Sequence, residues 1–293
     1  MTSSGSLLGW CDVWNQPRQL TLDDEDFPRA EPLWRSEGAV VVDCWPDAVG
    51  VADGETGHHL LWRAADGEFD AQKCWLLDAR LGWFARPGGE DEGRRPLREI
   101  WPLLDDTEAQ AAVAGVALAA WHAGSGFCPV CGGPTVVDVG GWSRRCPGCS
   151  AQHFPRIDPA IIVALVDDRD RLLLGSQPTW GKRRSVFAGY VMAGESLEQA
   201  VHREVAEEVG LAIDHVSYFG SQPWPFPRSL MVAFTAHVAD PDALHVDGHE
   251  IVQADWFTRD EARQAWADGS VDPPHPMSIA HRMIEAWLAG ERS

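Results

Sequence analysis

Apolar and polar positions divide the chain into two patterned stretches, with a cysteine-rich segment between them. In the first stretch "GAVVVDC", "HHLLWRA" and "KCWLLDA" predict strands, spaced by charged, glycine-rich connectors such as "RPGGEDEGRR". "TEAQAAVAGVALAAWHAG" predicts an alanine-rich helix with Thr107 as its N-cap. In the second stretch "PAIIVALV", "DDRD" and "RLLLGS" read as a hairpin of buried strands. "RSVFAGYV", "HVSYFGS", "SLMVAFTAHV" and "IVQADWFT" predict further strands, and "SIAHRMIEAWLAG" a closing amphipathic helix. No repeat or long low-complexity segment interrupts this order.

One helix breaks the usual rule of apolar inside and polar outside. Ser196 with Gln199 forms a capping-box pattern and Gly210 a stop, which predicts a helix over Leu197 to Val209. At about 100° per residue, Leu197, Ala200, Val201, Val205 and Val209 share one face. Glu204 and Glu208 fall along the middle of that face and Glu207 on its flank, while Glu198 and His202 lie toward the other edge. Unpaired carboxylates facing a core are costly and raise one another's pKa, and Arg203 is a single cation. A wet, salt-bridged helix face does not explain why the carboxylates sit on the apolar side. A divalent cation such as Mg²⁺ or Mn²⁺ does, because hard cations collect carboxylate oxygens and share them with phosphates.

Composition narrows the class. The chain has 293 residues, 45% of them apolar, so it affords two domains or one domain with a small module. No apolar run reaches the roughly 18 residues of a membrane span, and the opening "MTSSGSLLGWCDVW" lacks the basic start and apolar core of a signal peptide. These features predict a cytoplasmic protein without a membrane anchor. The net charge of −20 argues against a broad electrostatic grip on nucleic acid, though not against a local basic patch.

Of the seven cysteines, Cys11, Cys44 and Cys74 are scattered and read as reduced thiols. The other four form "CPVC" (Cys128, Cys131) and "CPGC" (Cys146, Cys149), two knuckles suited to tetrahedral zinc. Redox-active cysteines are the alternative. Four thiolates close the coordination sphere, so the expected zinc is structural, one per subunit. The intervening segment predicts a hairpin carrying Trp142, Arg144 and Arg145, which read either as structural or as a nucleic-acid contact. Downstream, "SQPWPFPRS" (Ser221 to Ser229) predicts a stiff extended or turning segment rather than a central strand. It reads either as a packed loop or as a wall for a flat ring, with Gln222 and Ser229 as polar contacts.

Gly189, Glu195, Arg203, Glu204, Val205, Glu207, Glu208, Gly210 and Leu211 satisfy every fixed position of the Nudix box, and the chain resembles that hydrolase family. With the cysteine knuckles before it and SQPWPFP-x-S after it, the segment from about Phe127 onward resembles the NADH pyrophosphatase branch. The resemblance implies an α+β fold: a Nudix α/β/α sandwich with a mixed sheet (154–293), preceded by a zinc ribbon (125–153) and an N-terminal α/β domain (1–124). It implies hydrolysis of NADH or NAD⁺ to AMP and nicotinamide mononucleotide, in some members removal of the NAD cap from RNA, and a homodimer. Competing readings are a hydrolase of ADP-ribose or dinucleoside polyphosphates, and an inactive zinc-ribbon module that binds nucleic acid.

By the same resemblance, Glu204, Glu207, Glu208, the downstream Glu250 and the Ala188 carbonyl bind Mg²⁺ or Mn²⁺, while Glu195 and Arg203 hold the loop against the helix. One carboxylate takes the proton of the attacking water; Glu207 is a candidate, and the sequence leaves the choice open. The substrate contacts implied are Gln222, Pro223, Trp224, Pro225, Phe226, Pro227, Arg228 and Ser229, with Ala280 through its backbone and Arg98 from the N-terminal part. Phe154 and Tyr190 stand where the family places aromatics about the nicotinamide. The two ring types are interchanged here, which preserves stacking but alters any phenol hydrogen bond.

Overall fold

A computed structural model describes residues 20, 22, 26–37, 39–51, 60, 63–65, 68–89 and 93–291. Cys11, the opening segment and most of the "HHLLWRA" strand lie outside the described residues. The described residues form two units, one drawn from 20–157 with 223–229, the other from 158–222 and 230–291.

The first unit is built on a six-stranded sheet of β1 (Val40–Cys44), β2 (Ala48–Gly50), β3 (Arg63–Ala64), β4 (Trp75–Asp78), β5 (Trp83–Pro87) and β6 (Arg94–Pro96). The order is β4-β5-β1-β2-β6, with β3 also on β1; β1 and β5 run parallel. Trp34, Val41, Leu76 and Phe84 fill one core, with the Trp34 and Phe84 rings edge to face at 5.1 Å. The alanine-rich helix spans Asp106–Gly124 and packs on β1, β2, β4 and β5. Its N-cap is Asp105 rather than Thr107. The Asp105 carboxylate accepts from the backbone N–H groups of Thr107 and Glu108, and an acidic side chain at this end also suits the helix dipole. The cysteine segment forms a small sheet of β7 (Val136–Val137), β8 (Arg144–Arg145) and β9 (Gln152–His153), in that order.

In the second unit β10 (Asp158–Asp167) and β11 (Leu172–Ser176) make the expected antiparallel hairpin. β12 (Phe187–Tyr190) pairs with β10, and the sheet order is β13-β14-β10-β11-β15. Here β13 is Asp214–Trp224, β14 is Ser229–Val238 and β15 is Gln253–Phe257. Strand β10 alternates: Ile161, Val163 and Leu165 join a core with Ala200, Val201, Val205 and Val209 of the charged helix. Ala160, Ile162 and Ala164 on its other face are also buried, and the closing helix Ile279–Ala289 packs against the same strand.

Two local findings extend the sequence reading. The edge strand β13 runs through Ser221, Gln222 and Pro223 to Trp224, so half of "SQPWPFPRS" is strand and residues 225–228 make the turn. Proline is tolerated there because an edge strand leaves one row of N–H groups unpaired. A helix, Arg259–Ala267, stands between β15 and the closing helix, started by a capping box of Thr258 and Glu261.

Candidate active site and zinc centre

The charged helix spans Leu197–Val209, as its caps dictate. Gln199 N–H donates to Ser196 Oγ at 3.2 Å and Ser196 N–H to Gln199 Oε1 at 2.8 Å. Gly210 takes the left-handed conformation at φ 66°, which suits glycine. The preceding loop is closed by Glu195, whose Oε2 accepts from Met192 N–H at 3.0 Å.

Arg203 spends its guanidinium on four partners. Nε and Nη2 donate to the two oxygens of Glu195 at 2.8 and 2.9 Å, and Nη2 also donates to the Tyr190 carbonyl at 2.9 Å. Nη1 donates to Glu204 at 2.8 Å and Glu207 at 2.9 Å. One side chain thus joins β12, the loop and the helix, and hydrogen bonding to Arg203 holds the Glu195 carboxyl below its usual range.

Arg203 pairs with Glu204 and Glu207, but none of its nitrogens goes to Glu208. Glu204 and Glu208 are buried, whereas Glu207 is 58% exposed. Burial, followed by the charges of Glu204, Glu250, Asp247 and Glu207, pushes the Glu208 carboxyl up to about 8. Its Oε2 is buried and, among the described residues, has no hydrogen-bond partner. A Cβ on Gly189 would overlap the Glu204 carboxylate, so only glycine in β12 lets that group lie against the strand. An orphaned carboxylate oxygen among other carboxylates fits a hard divalent cation with oxygen ligands. Ala188 precedes Gly189 in β12, opposite Ile162.

Glu250 lies in a bend before β15, where its charge acts on Glu208. Sequence reasoning missed Asp247, which accepts the N–H groups of Glu250 and Ile251 at 2.9 and 2.8 Å and so fixes that bend. The Asp-Gly pair at 247–248 was the available turn signal.

The aromatic motif is divided by the fold. Gln222 is fully buried; its Nε2 donates to the Met277 carbonyl at 2.8 Å and its Oε1 accepts from Ile279 N–H at 2.7 Å. Its amide therefore fixes the start of the closing helix, next to buried Ala280. Trp224 and Phe226 meet edge to face at 5.3 Å, and the Arg98 guanidinium lies 5.2 and 4.3 Å from the two rings. Pro46, Asp47, Pro96, Arg98, Phe226 and Pro227 line a cleft of about 430 Å³. Pro223, Pro225, Arg228 and buried Ser229 complete this part of the first unit. Phe154 belongs to the first unit and Tyr190 to the second, and both rings are more than half exposed.

The four cysteine sulfurs lie within 4.8 Å of one another. Backbone N–H bonding from Cys149 pulls the Cys146 thiol down to about 7, and His153 Nε2 stands 3.3 Å from Cys128 Sγ. Such a sulfur quartet fits structural zinc. Trp142 donates to the Leu76 carbonyl, Arg144 bonds both oxygens of Thr135, and Arg145 pairs with Asp138 at 3.4 Å. These three side chains are spent inside the unit, which favours their structural reading.

The NUDIX domain model matches residues 156–275 and the NADH pyrophosphatase zinc ribbon domain model matches 125–154. The chain belongs to the Nudix hydrolase family, in the branch that carries the NADH pyrophosphatase zinc ribbon. A NAD-capped RNA hydrolase NudC of Mycobacterium bovis is 41% identical over 256 residues, covering 84% of this chain and 77% of that protein. The one from Klebsiella pneumoniae is 35% identical over 227 residues, covering 76% and 79%. A solved NUDIX hydrolase from Nitrosomonas europaea is similar at 22% identity and a TM-score of 0.44, covering 56% of this chain and 90% of that one.

Proposed function

We propose that this enzyme hydrolyses the pyrophosphate of NADH or NAD⁺ to AMP and nicotinamide mononucleotide, and that it removes the NAD cap from RNA. The observation that carries the reading is the buried, unpartnered Oε2 of Glu208 among the charges of Glu204, Glu207 and Glu250. The similar proteins named as NAD-capped RNA hydrolases support the choice of substrate.

Glu204, Glu207, Glu208, Glu250 and the Ala188 carbonyl would hold Mg²⁺ or Mn²⁺. When bound, the cation offsets phosphate charge and lowers the pKa of a water poised to attack phosphorus. Arg203 aims Glu204 and Glu207 by donating to both, and Glu195 fixes Arg203 in turn. The box carboxylates accept the proton released by the attacking water. Arg98, Trp224 and Phe226 offer a cation and two ring edges and faces for the flat groups of a dinucleotide. Phe154 and Tyr190 offer further exposed rings.

Zinc at Cys128, Cys131, Cys146 and Cys149 serves the fold of the ribbon, one ion per chain. Among the described residues no helix is long and apolar enough to cross a membrane. Burial pushes the Cys44 thiol above its usual range, as suits an unreactive reduced thiol in the cytoplasm. Association as a homodimer is supported by Phe127, 74% exposed, and by exposed Ile157 in the same unit. Light scattering on purified protein tests it: a monomer mass at working concentration excludes the dimer.

Turnover of Glu208→Gln with saturating Mg²⁺ or Mn²⁺ tests the site, and a near-wild-type rate removes Glu208 from it. Comparing kcat/KM for NADH, ADP-ribose and NAD-capped RNA tests the substrate, since a preference for ADP-ribose would overturn it.

A further inference from the structure

The segment Thr179–Ser185, "TWGKRRS", places three consecutive cations in a chain of net charge −20. It connects β11 to β12, and its backbone is pinned. Arg183 N–H donates to the Trp180 carbonyl, Arg184 N–H to Asp272 O at 3.0 Å, and Asp272 N–H to Lys182 O at 3.1 Å. Arg184 is the anchor, donating Nη2 to Gln253 Oε1 at 2.6 Å and Nη1 to the carbonyls of Gly181 and Arg183.

Lys182 and Arg183 have a different character. Lys182 is exposed and donates to the Gly269 carbonyl at 3.0 Å, within the field of Asp268. The Arg183 guanidinium lies over the Trp180 ring at 4.4 Å. Among the described residues neither forms an ion pair with a carboxylate. Other arginines of the same unit do: Arg171 with Asp167, Arg203 with Glu195, Arg259 with Asp170, and Arg282 with Glu291. In so acidic a chain, two adjacent cations outside any ion pair among the described residues, beside a partly exposed tryptophan, make a site for a polyanion that also has flat rings. Ala188 and Gly189, the first residue of the box, follow closely. Three residues lie between Arg184 and Ala188, so their Cα atoms lie within about 14 Å.

We propose that Trp180, Lys182 and Arg183 bind the RNA chain that follows the cap, Lys182 and Arg183 taking backbone phosphates and Trp180 a base. This rests on the capped-RNA reading above and deepens it: the loop separates long substrates from free dinucleotide. The overall negative charge gives no long-range attraction, so the grip is local and strongly screened.

The test compares wild type with Lys182→Gln/Arg183→Gln and with Trp180→Ala. It reads kcat/KM for NAD-capped RNA and for NADH, and the anisotropy of an uncapped single-stranded RNA oligonucleotide across a salt series. Losing two phosphate contacts flattens the plot of log affinity against log salt by about 1.4, and capped-RNA kcat/KM falls roughly tenfold at low salt. NADH turnover is unchanged, which also reports an intact fold. The same salt slope in the double variant overturns the proposal, as does an equal fall for NADH or a wild type that does not bind the oligonucleotide. A wild type that binds the oligonucleotide but leaves capped RNA intact overturns the capped-RNA reading, while the salt slope still decides the role of the loop.

Discussion

Arg203 grips both oxygens of Glu195 with two guanidinium nitrogens, at 2.8 and 2.9 Å, across eight residues of sequence. The same side chain holds Glu204 and Glu207, so the loop, the helix and two of the proposed cation ligands share one fastening. A lysine carries the charge but offers a single nitrogen in place of the planar fork. Arg203→Lys should therefore keep the fold and lower kcat by roughly ten- to a hundredfold, the usual cost of losing a partner that orients a ligand. Steady-state kinetics with a cation titration check this, and a wild-type kcat would show that the clamp does not aim the carboxylates.

The sulfur quartet makes a second prediction. With Sγ atoms 3.4 to 3.7 Å apart in two pairs, four thiolates would repel one another unless a cation lies among them. Elemental analysis should find one zinc per chain in wild type and a large loss in Cys146→Ser. A strong chelator should lower the melting temperature of wild type but leave Cys146→Ser unmoved.

His237 carries a pH dependence. Nδ1 faces Asp214 at 2.7 Å and Nε2 faces Asp168 at 2.9 Å, with the His215 ring 6.1 Å away. Hydrogen bonding to Asp214, then to Asp168, raises the imidazole above its ordinary value. The protonated form is thus favoured by folding. Its stabilisation is fully present below the unfolded pKa, near 6.5, and is lost as pH rises through the higher folded value. NMR titration of the ring should give a midpoint above that of an exposed histidine. The stability of His237→Asn should lack the wild-type decline over this window.

The charged helix was legible to the residue because its signals are local: Ser196 and Gln199 start it, Gly210 stops it, and 3.6-residue periodicity exposes the misplaced glutamates. The zinc knuckles were legible for the same reason. Asp105 was passed over for Thr107 because both are good caps and only the observed backbone separates them. The helix Arg259–Ala267 carries a capping box, Thr258 with Glu261, but it is short and mostly polar, so few apolar positions mark it in the sequence. Gln222 was read as a ligand contact because its motif is polar and aromatic. Its partners within the fold, Met277 and Ile279, lie more than fifty residues away, where no local pattern points.

That long-range pair carries the final prediction. In Gln222→Leu the Met277 carbonyl and the Ile279 N–H both lose their partner at a site closed to water. Each buried group left unsatisfied costs about 1–3 kcal/mol, and burial of the leucine offsets only part of this. The urea midpoint should fall with little change in slope, since the same surface is exposed on unfolding. Gln222→Glu separates the two bonds: its carboxylate still accepts from Ile279 N–H but has no donor for the Met277 carbonyl. At neutral pH it should be less stable than wild type and should recover part of the difference as the carboxyl becomes protonated. If both variants unfold at the wild-type midpoint, the amide does not tie β13 to the closing helix, and its role must be sought in substrate contact.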